Sequence, residues 1–377
     1  MPLLKKLEGR IKNGLLRALV TVPYSKAPTG VIDIKKVTRL LVVRPQKIGD
    51  VFISLPLIDF LKRHNDGLKV SMVVSPDSRV LVTDDPRFEA VHVYRKRLLN
   101  DFAELRKMRT NKYDTVIDLV GTDSATSALL TGLAAPGAVR IGVGKKAHRK
   151  YYHYNFDHRC GDTGHIISNT LKAVEAFGLT AGADDGFAVP YIPPDVLDMA
   201  DRFMNKLRGG GEITLVGYNL SAGSSGRRWP DERAAALIEK ILATDERVRV
   251  VLISIPGERG RVQKLKERLG DRVELIPDRL GLIEAAAIIG RLDMLVTPDT
   301  SLVHIARSFG VPVVGLYVRY MNNYMTWKPY GQKSGQVVAS DDNSVAGIDV
   351  EDVLTAFNAV LAEKKQETLC PPCQSSS

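Results

Sequence analysis

From Val37 to about Tyr317, short all-apolar stretches alternate with segments whose apolar residues recur at three- and four-residue spacing. The first kind predicts strands buried on both faces, and the second predicts helices that cover them. In the first half the strands are expected at Arg39–Val43, Val70–Val74 and Thr115–Leu119. Helices are expected from Asp50 to about Arg63, near Leu98–Met108 and near Ser124–Leu133. A second series starts at Glu212, with strands at Ile213–Asn219, Arg249–Ile253, Arg272–Leu275, Met294–Val296 and Val313–Leu316. Its helices are expected near Asp231–Ala243, Glu258–Leu269, Gly281–Gly290 and Ser301–Phe309. Strands joined by helices imply parallel sheets covered on both sides. The fold class is therefore α/β, with two doubly wound Rossmann-like domains expected to face each other across a cleft, where such folds bind ligands.

The segment Tyr191-Ile-Pro-Pro-Asp195 reads as the linker between the two series. The predicted organisation is an arm over residues 1–34, a first domain over 35–194, a second over 195–348, and a C-terminal helix and tail over 349–377. The final helix, Val350–Leu361, follows a polar stretch and is expected to return to the first domain. A length of 377 residues suits two domains of about 150 residues each. No apolar run approaches the roughly 20 residues that span a bilayer, and the N-terminus lacks a secretory cleavage pattern.

Charge changes this picture at two places. Residues 1–40 hold nine Lys and Arg against Glu8 and Asp33. There Leu3, Leu4, Leu7, Ile11, Leu15, Leu19 and Val22 recur at helical spacing, with basic residues on much of the other face. Such a helix suits an anionic membrane surface, and equally the protein's own body. A second basic patch runs through Arg140, Lys145, Lys146, Arg149, Lys150 and Arg159, interleaved with His148, Tyr151, Tyr152, His153, Tyr154 and His158. Such a field attracts a phosphorylated or acidic ligand. The three cysteines (Cys160, Cys370 and Cys373) form no disulfide framework, which points to a reducing compartment. Cys370-Pro-Pro-Cys373 near the chain's end reads as a tail.

Three segments at predicted strand ends carry candidate chemistry. Arg44-Pro-Gln-Lys47-Ile-Gly49-Asp50 follows the first strand, with Gly49 closing the turn and Asp50 beginning a helix. A carboxylate there is a good cap, worth on the order of 1 kcal/mol, and is also poised to take a proton from a hydroxyl. Asn219-Leu-Ser221-Ala-Gly223-Ser224-Ser-Gly-Arg227-Arg228-Trp-Pro230 provides small residues whose amides can approach an anion, followed by two cations. It lacks the Gly-Lys-Ser/Thr ending of a Walker loop. Thr297-Pro-Asp299-Thr300-Ser301 opens a helix whose free N–H groups make a ready anion site, with His304 one turn in as a packing or phosphate-contacting residue.

Together these segments resemble the heptosyltransferases of glycosyltransferase family 9, which build the inner core of lipopolysaccharide. The resemblance is carried by Ile48-Gly-Asp50 with Leu55-Pro56, by Gly223 to Arg228-Trp-Pro230, and by Thr297-Pro-Asp-Thr300 with His304. It implies a GT-B fold with the acceptor on the first domain and ADP-heptose on the second. The implied reaction is inverting and needs no metal and no cofactor. By the same resemblance Asp50 is the general base, and Arg228 stands where the family has a Lys against the donor diphosphate. Ser221, Gly223, Ser224, Asp299, Thr300, Ser301 and His304 line the donor, and Glu258 meets its ribose. Lys47, Gly49, Asp123, Lys145 and Arg149 are assigned to the acceptor. Ser301 replaces a Gly that often follows the Asp-Thr pair, which leaves another nucleotide sugar or acceptor open, and the rival from another class is a nucleotide-binding protein without transferase activity. The expected partners are a nucleotide sugar, a lipopolysaccharide core glycolipid and the inner-membrane surface on its cytoplasmic side. Nucleic acid is not expected, because no helix-turn-helix pattern or RNA-binding aromatic signature is present.

Overall fold

The structure, a computed structural model, describes residues 14, 18, 30–95, 98–157 and 164–369. The expected basic helix of the arm, Arg159 and all three cysteines lie outside the described residues. The chain divides into two compact units at Tyr191–Ile192, with His165 belonging to the second.

The first unit is built on β1 (Arg39–Val43), β2 (Lys69–Val74), β3 (Phe88–Val93), β4 (Thr115–Asp118), β5 (Val139–Val143) and β6 (Tyr154–Phe156). All pairs are parallel and the order is β3-β2-β1-β4-β5-β6. Its helices are α1 (Ile48–Phe52), α2 (Leu55–His64), α3 (Leu98–Thr110), α4 (Ala125–Ala134) and α5 (Ile166–Leu171). The single helix expected over 50–63 is two. Pro56 sits in the first turn of α2 and has no N–H to bond back to Phe52, so the ladder breaks at Ile53–Ser54. Leu41, Val43, Val73, Val116 and Leu130 share one apolar cluster with Met108 of α3, so the sheet's central strands are buried beneath helices.

The second unit repeats this plan. Its strands are β7 (Thr214–Asn219), β8 (Val248–Ile253), β9 (Val273–Leu275), β10 (Met294–Pro298), β11 (Val313–Tyr317) and β12 (Gln336–Val338), in the order β12-β11-β10-β7-β8-β9. Its helices are α6 (Pro194–Arg208), α7 (Asp231–Thr244), α8 (Arg259–Leu269), α9 (Leu282–Ile289), α10 (Ser301–Ser308), α11 (Asn323–Trp327) and α12 (Val350–Leu369). The segment read as a linker runs directly into α6, whose first residue is Pro194 and whose end is a left-handed Gly209. The expectation that the last helix returns to the first domain is corrected. Val353, Phe357 and Val360 of α12 are fully buried in the second unit's own core, beside Ala234, Ile238 and Val337. Lys364 of the same helix pairs with Asp293 at 2.9 Å.

In both units the chain reverses its direction of winding at a central pair of strands, β1/β4 in the first and β7/β10 in the second. The carboxyl ends of those pairs are the crevices that doubly wound sheets offer to ligands. Among the described residues, no helix is long and apolar enough to cross a membrane.

Candidate active site

At the first switch point, β1 ends at Val43 and Arg44 follows with its side chain only 3% exposed. Its Nη2 donates to Asp50 Oδ1 at 2.7 Å. Asp50 is the third residue of α1, which begins earlier than expected, and its Oδ2 accepts the Lys47 N–H at 2.9 Å. The carboxylate therefore caps backward onto the turn while its other oxygen holds a buried cation. Ser54 Oγ donates to the Asp50 carbonyl at 2.7 Å and ties down the end of this short helix. Burial depresses the Arg44 pKa, and the charges of Asp50 and Asp118 oppose that effect.

Beside it, β4 ends in Asp118, which is fully buried. Lys145 Nζ lies 3.0 Å from its Oδ1, and Tyr152 donates to its Oδ2 at 2.5 Å. Lys145 also donates to the Val120 carbonyl at 2.7 Å. Gly142 makes room for this arrangement, since a Cβ there would come within 2.7 Å of Lys145 Cγ and 3.0 Å of the Tyr152 ring. Burial, and then the Asp118 charge, push the Tyr152 pKa well up, so it is a neutral donor at physiological pH.

The basic patch expected over 140–159 is thus partly dissolved. Lys145 is interior and paired, so it presents no charge to an acceptor; Arg140 is 2% exposed. Tyr151 and Tyr152 are buried and show no face to a sugar. Asp123 is committed to the same loop, accepting from the Ala147 amide at 2.5 Å and pairing with His148 Nδ1 at 2.6 Å. Burial alone would raise the Asp123 pKa, but those bonds bring it below the usual carboxylate value. What remains outward is Lys146, Arg149 and Lys150, on a loop anchored at Lys145 and His148, together with exposed Lys47 after β1.

At the second switch point, Asn219 ends β7 and joins two loops. Its Nδ2 donates to Thr297 Oγ1 at 2.9 Å, and its Oδ1 accepts the Ser221 N–H at 3.0 Å. Sequence reasoning left Asn219 out of the site, since a polar residue closing an apolar strand carries no distinctive signal. Ser221 donates to Glu258 Oε2 at 2.7 Å. Glu258 also accepts from Arg261 at 2.8 Å and pairs with Arg228. Burial would raise the Glu258 pKa, but the Ser221 hydroxyl and the Arg261 and Arg228 charges hold it below the usual range. Gly223 and Ser224 are exposed, with open space where a Gly223 side chain would stand. Gly226 is required by close approach, because a Cβ there would lie 2.1 Å from the Asn343 carbonyl oxygen.

The two neighbouring arginines diverge. Arg228 turns to Glu258, whereas Arg227 reaches the β10 loop, 3.1 Å from Asp299 Oδ2 and 3.3 Å from its carbonyl. Sequence reasoning gave the diphosphate to Arg228 alone; the fold brings both cations to the switch point. Thr300 caps α10 by accepting the Leu302 N–H at 3.3 Å, and Ser301 is the helix's first residue. The positive end of α10 therefore stands beside Asp299, Arg227 and Asn219. His304 is a packing residue. It is 6% exposed, its Nδ1 has no hydrogen-bond partner, and its ring lies 5.7 Å from Trp327 and 6.3 Å from His165. Burial, and then the nearby His165, bring its pKa down to about 3. His165, lowered mainly by burial to about 4, donates from Nε2 to the Lys328 carbonyl at 2.8 Å. Among the described residues, no three His, Cys, Asp or Glu side chains are grouped so as to hold a metal ion.

Two doubly wound domains, one with an anchored carboxylate at its switch point and the other with paired arginines and a helix N-terminus, define an α/β protein equipped for an anionic ligand. The family model for "Glycosyltransferase family 9 (heptosyltransferase)" matches residues 102–354. The "Lipopolysaccharide core heptosyltransferase OpsX" of Haemophilus influenzae is 22% identical over 310 residues, covering 81% of this chain and 85% of that protein. A family 9 glycosyltransferase from Veillonella parvula has a similar structure, with TM-score 0.72 at 20% identity over 89% of this chain and 100% of that one. So does the E. coli heptosyltransferase WaaC with ADP-2-deoxy-2-fluoro heptose, with TM-score 0.65 at 22% identity over 85% and 99%. The chain belongs to glycosyltransferase family 9, the heptosyltransferase family. It is an enzyme, a glycosyltransferase of GT-B type.

Proposed function

We propose that the enzyme transfers heptose from ADP-heptose to a lipopolysaccharide core acceptor, with inversion at the anomeric carbon and without a metal ion. The observation that carries this reading is the pairing of functions at the two switch points. Asp50 is a carboxylate fixed at both oxygens after β1, while Arg227, Arg228 and the α10 N-terminus gather positive charge after β7 and β10. The names of the relatives support heptose and the lipopolysaccharide core.

The chemistry divides between these groups. The acceptor hydroxyl attacks the anomeric carbon from the face opposite the leaving diphosphate. The bond from that carbon to the diphosphate oxygen breaks, ADP leaves, and the hydroxyl proton passes to an Asp50 oxygen. Charge growing on the diphosphate is met by the arginines and by the amides at the start of α10. Asp299 and Thr300 hold the sugar side of the donor, and Glu258 its ribose. Exposed Lys146, Arg149 and Lys150 suit an acidic, phosphorylated acceptor. The basic N-terminal segment, residues 1–22, is proposed to hold the enzyme to the cytoplasmic face of the inner membrane.

The test is transfer from ADP-heptose to a Kdo-bearing lipid A acceptor in EDTA. Product of inverted configuration is expected. Product only with another nucleotide sugar would replace the donor, and loss of product in EDTA with recovery on adding a divalent cation would overturn metal independence.

A further inference from the structure

We infer that Arg44 is a positioning residue that aims the Asp50 carboxylate; this rests on the reading of Asp50 as the base. A carboxylate tethered at one oxygen still turns about its χ2 angle, whereas Asp50 is tethered at both. Arg44 Nη2 holds Oδ1 at 2.7 Å and the Lys47 amide holds Oδ2 at 2.9 Å. The lone pairs left over are then held in fixed directions.

The guanidinium is itself confined. It is 3% exposed, and its Nε is buried without a hydrogen-bond partner, so its charge is answered by Asp50 and, through space, by Asp118. Asp118 in turn is paired with Lys145 and hydrogen-bonded by Tyr152. Negative and positive groups alternate as Asp50, Arg44, Asp118 and Lys145, and their formal charges cancel. A buried guanidinium with few partners has few alternative orientations, which suits an anchor rather than a substrate-binding arm. Arg44 also follows β1 directly and its amide donates to the Val73 carbonyl at 2.9 Å, so its backbone belongs to the sheet.

Misplacing a reacting group by about 1 Å can cost roughly 100-fold in rate. Arg44→Met is therefore expected to lower kcat about 100-fold while leaving KM for the donor unchanged, because the donor's cations sit on the second unit. Arg44→Lys, which restores a charge without the planar fork, is expected to recover at least tenfold of that loss. Full kcat in Arg44→Met, a loss expressed only in donor KM, or no rescue by Lys would overturn the inference. A second arm uses no substrate. Urea unfolding of Arg44→Met, Asp50→Asn and the double variant is expected to reveal coupling of about tenfold in the unfolding constant. Additive effects would overturn the inference even if transfer were intact. Coupling in a wild-type enzyme that transfers no heptose would uphold the Arg44–Asp50 anchor and reject the proposed reaction.

Discussion

Lys145 and Arg149 lie four positions apart in one basic run, yet they differ in what they do. Lys145 shares a fully buried ion pair with Asp118, and Arg149 is exposed on the loop above it. Breaking a buried pair from one side strands the other charge, at a cost of about 3–5 kcal/mol. Lys145→Met should therefore lower the urea midpoint sharply. Arg149→Ala should leave stability within about 0.5 kcal/mol and raise KM for a phosphorylated acceptor. The reverse pattern in those two variants would contradict the assignment. The charge run alone could not separate them, because burial of Lys145 depends on Gly142 leaving space and on Asp118 arriving from another strand. The same limit applied to Arg227 and Arg228. Adjacent cations look alike in a sequence, and only the turn of the loop sends one to Asp299 and the other to Glu258.

At the scale of elements, α12 completes the second domain. Removing everything after Asp349 would expose the sites of Val353, Phe357 and Val360, a loss of about 5–9 kcal/mol from apolar burial. That is comparable to the whole stability of an ordinary domain. Limited proteolysis of such a truncation should digest the second domain; full protection of that domain would contradict the packing. The central strands were legible because β1, β7 and β10 are mainly apolar runs buried on both faces. Four outer strands were not. β3 carries Glu89 and His92 on a half-exposed sheet edge, β5 is interrupted by Arg140 and Gly142, and β6 and β12 are only three residues long. α6 was hidden behind Pro193-Pro194, which reads as a linker although Pro is well suited to a helix's first turn. The candidate site was legible in outline because Gly-Asp, Gly/Ser-Arg-Arg and Asp-Thr each lie in the segment that follows an apolar strand. Arg44 and Asn219 escaped notice because their roles depend on partners beyond their own segments.

For the molecule as a whole, two buried histidines set a pH limit. His165 and His304 have folded values near 4 and 3, below the usual 6.5. Between pH 6.5 and about 4 the unfolded chain therefore takes up protons that the folded one refuses. Stability present above pH 6.5 is lost as pH falls, at about 1.4 kcal/mol per pH unit for each histidine. The second domain should be about 3 kcal/mol less stable at pH 5 than at pH 6.5, and His304→Leu should halve that slope. An unfolding midpoint that does not move over this window would contradict the burial. The depressed carboxylates of Asp123 and Glu258 add their losses only at lower pH.

The proposed role of Asp50 as the base bears the functional reading most directly. It is tested most directly by comparing wild type with Asp50→Ala for heptose transfer to a core acceptor, alongside ADP binding by calorimetry. Transfer is expected to fall by at least about 100-fold while ADP affinity is unchanged. Undiminished transfer by Asp50→Ala would contradict it.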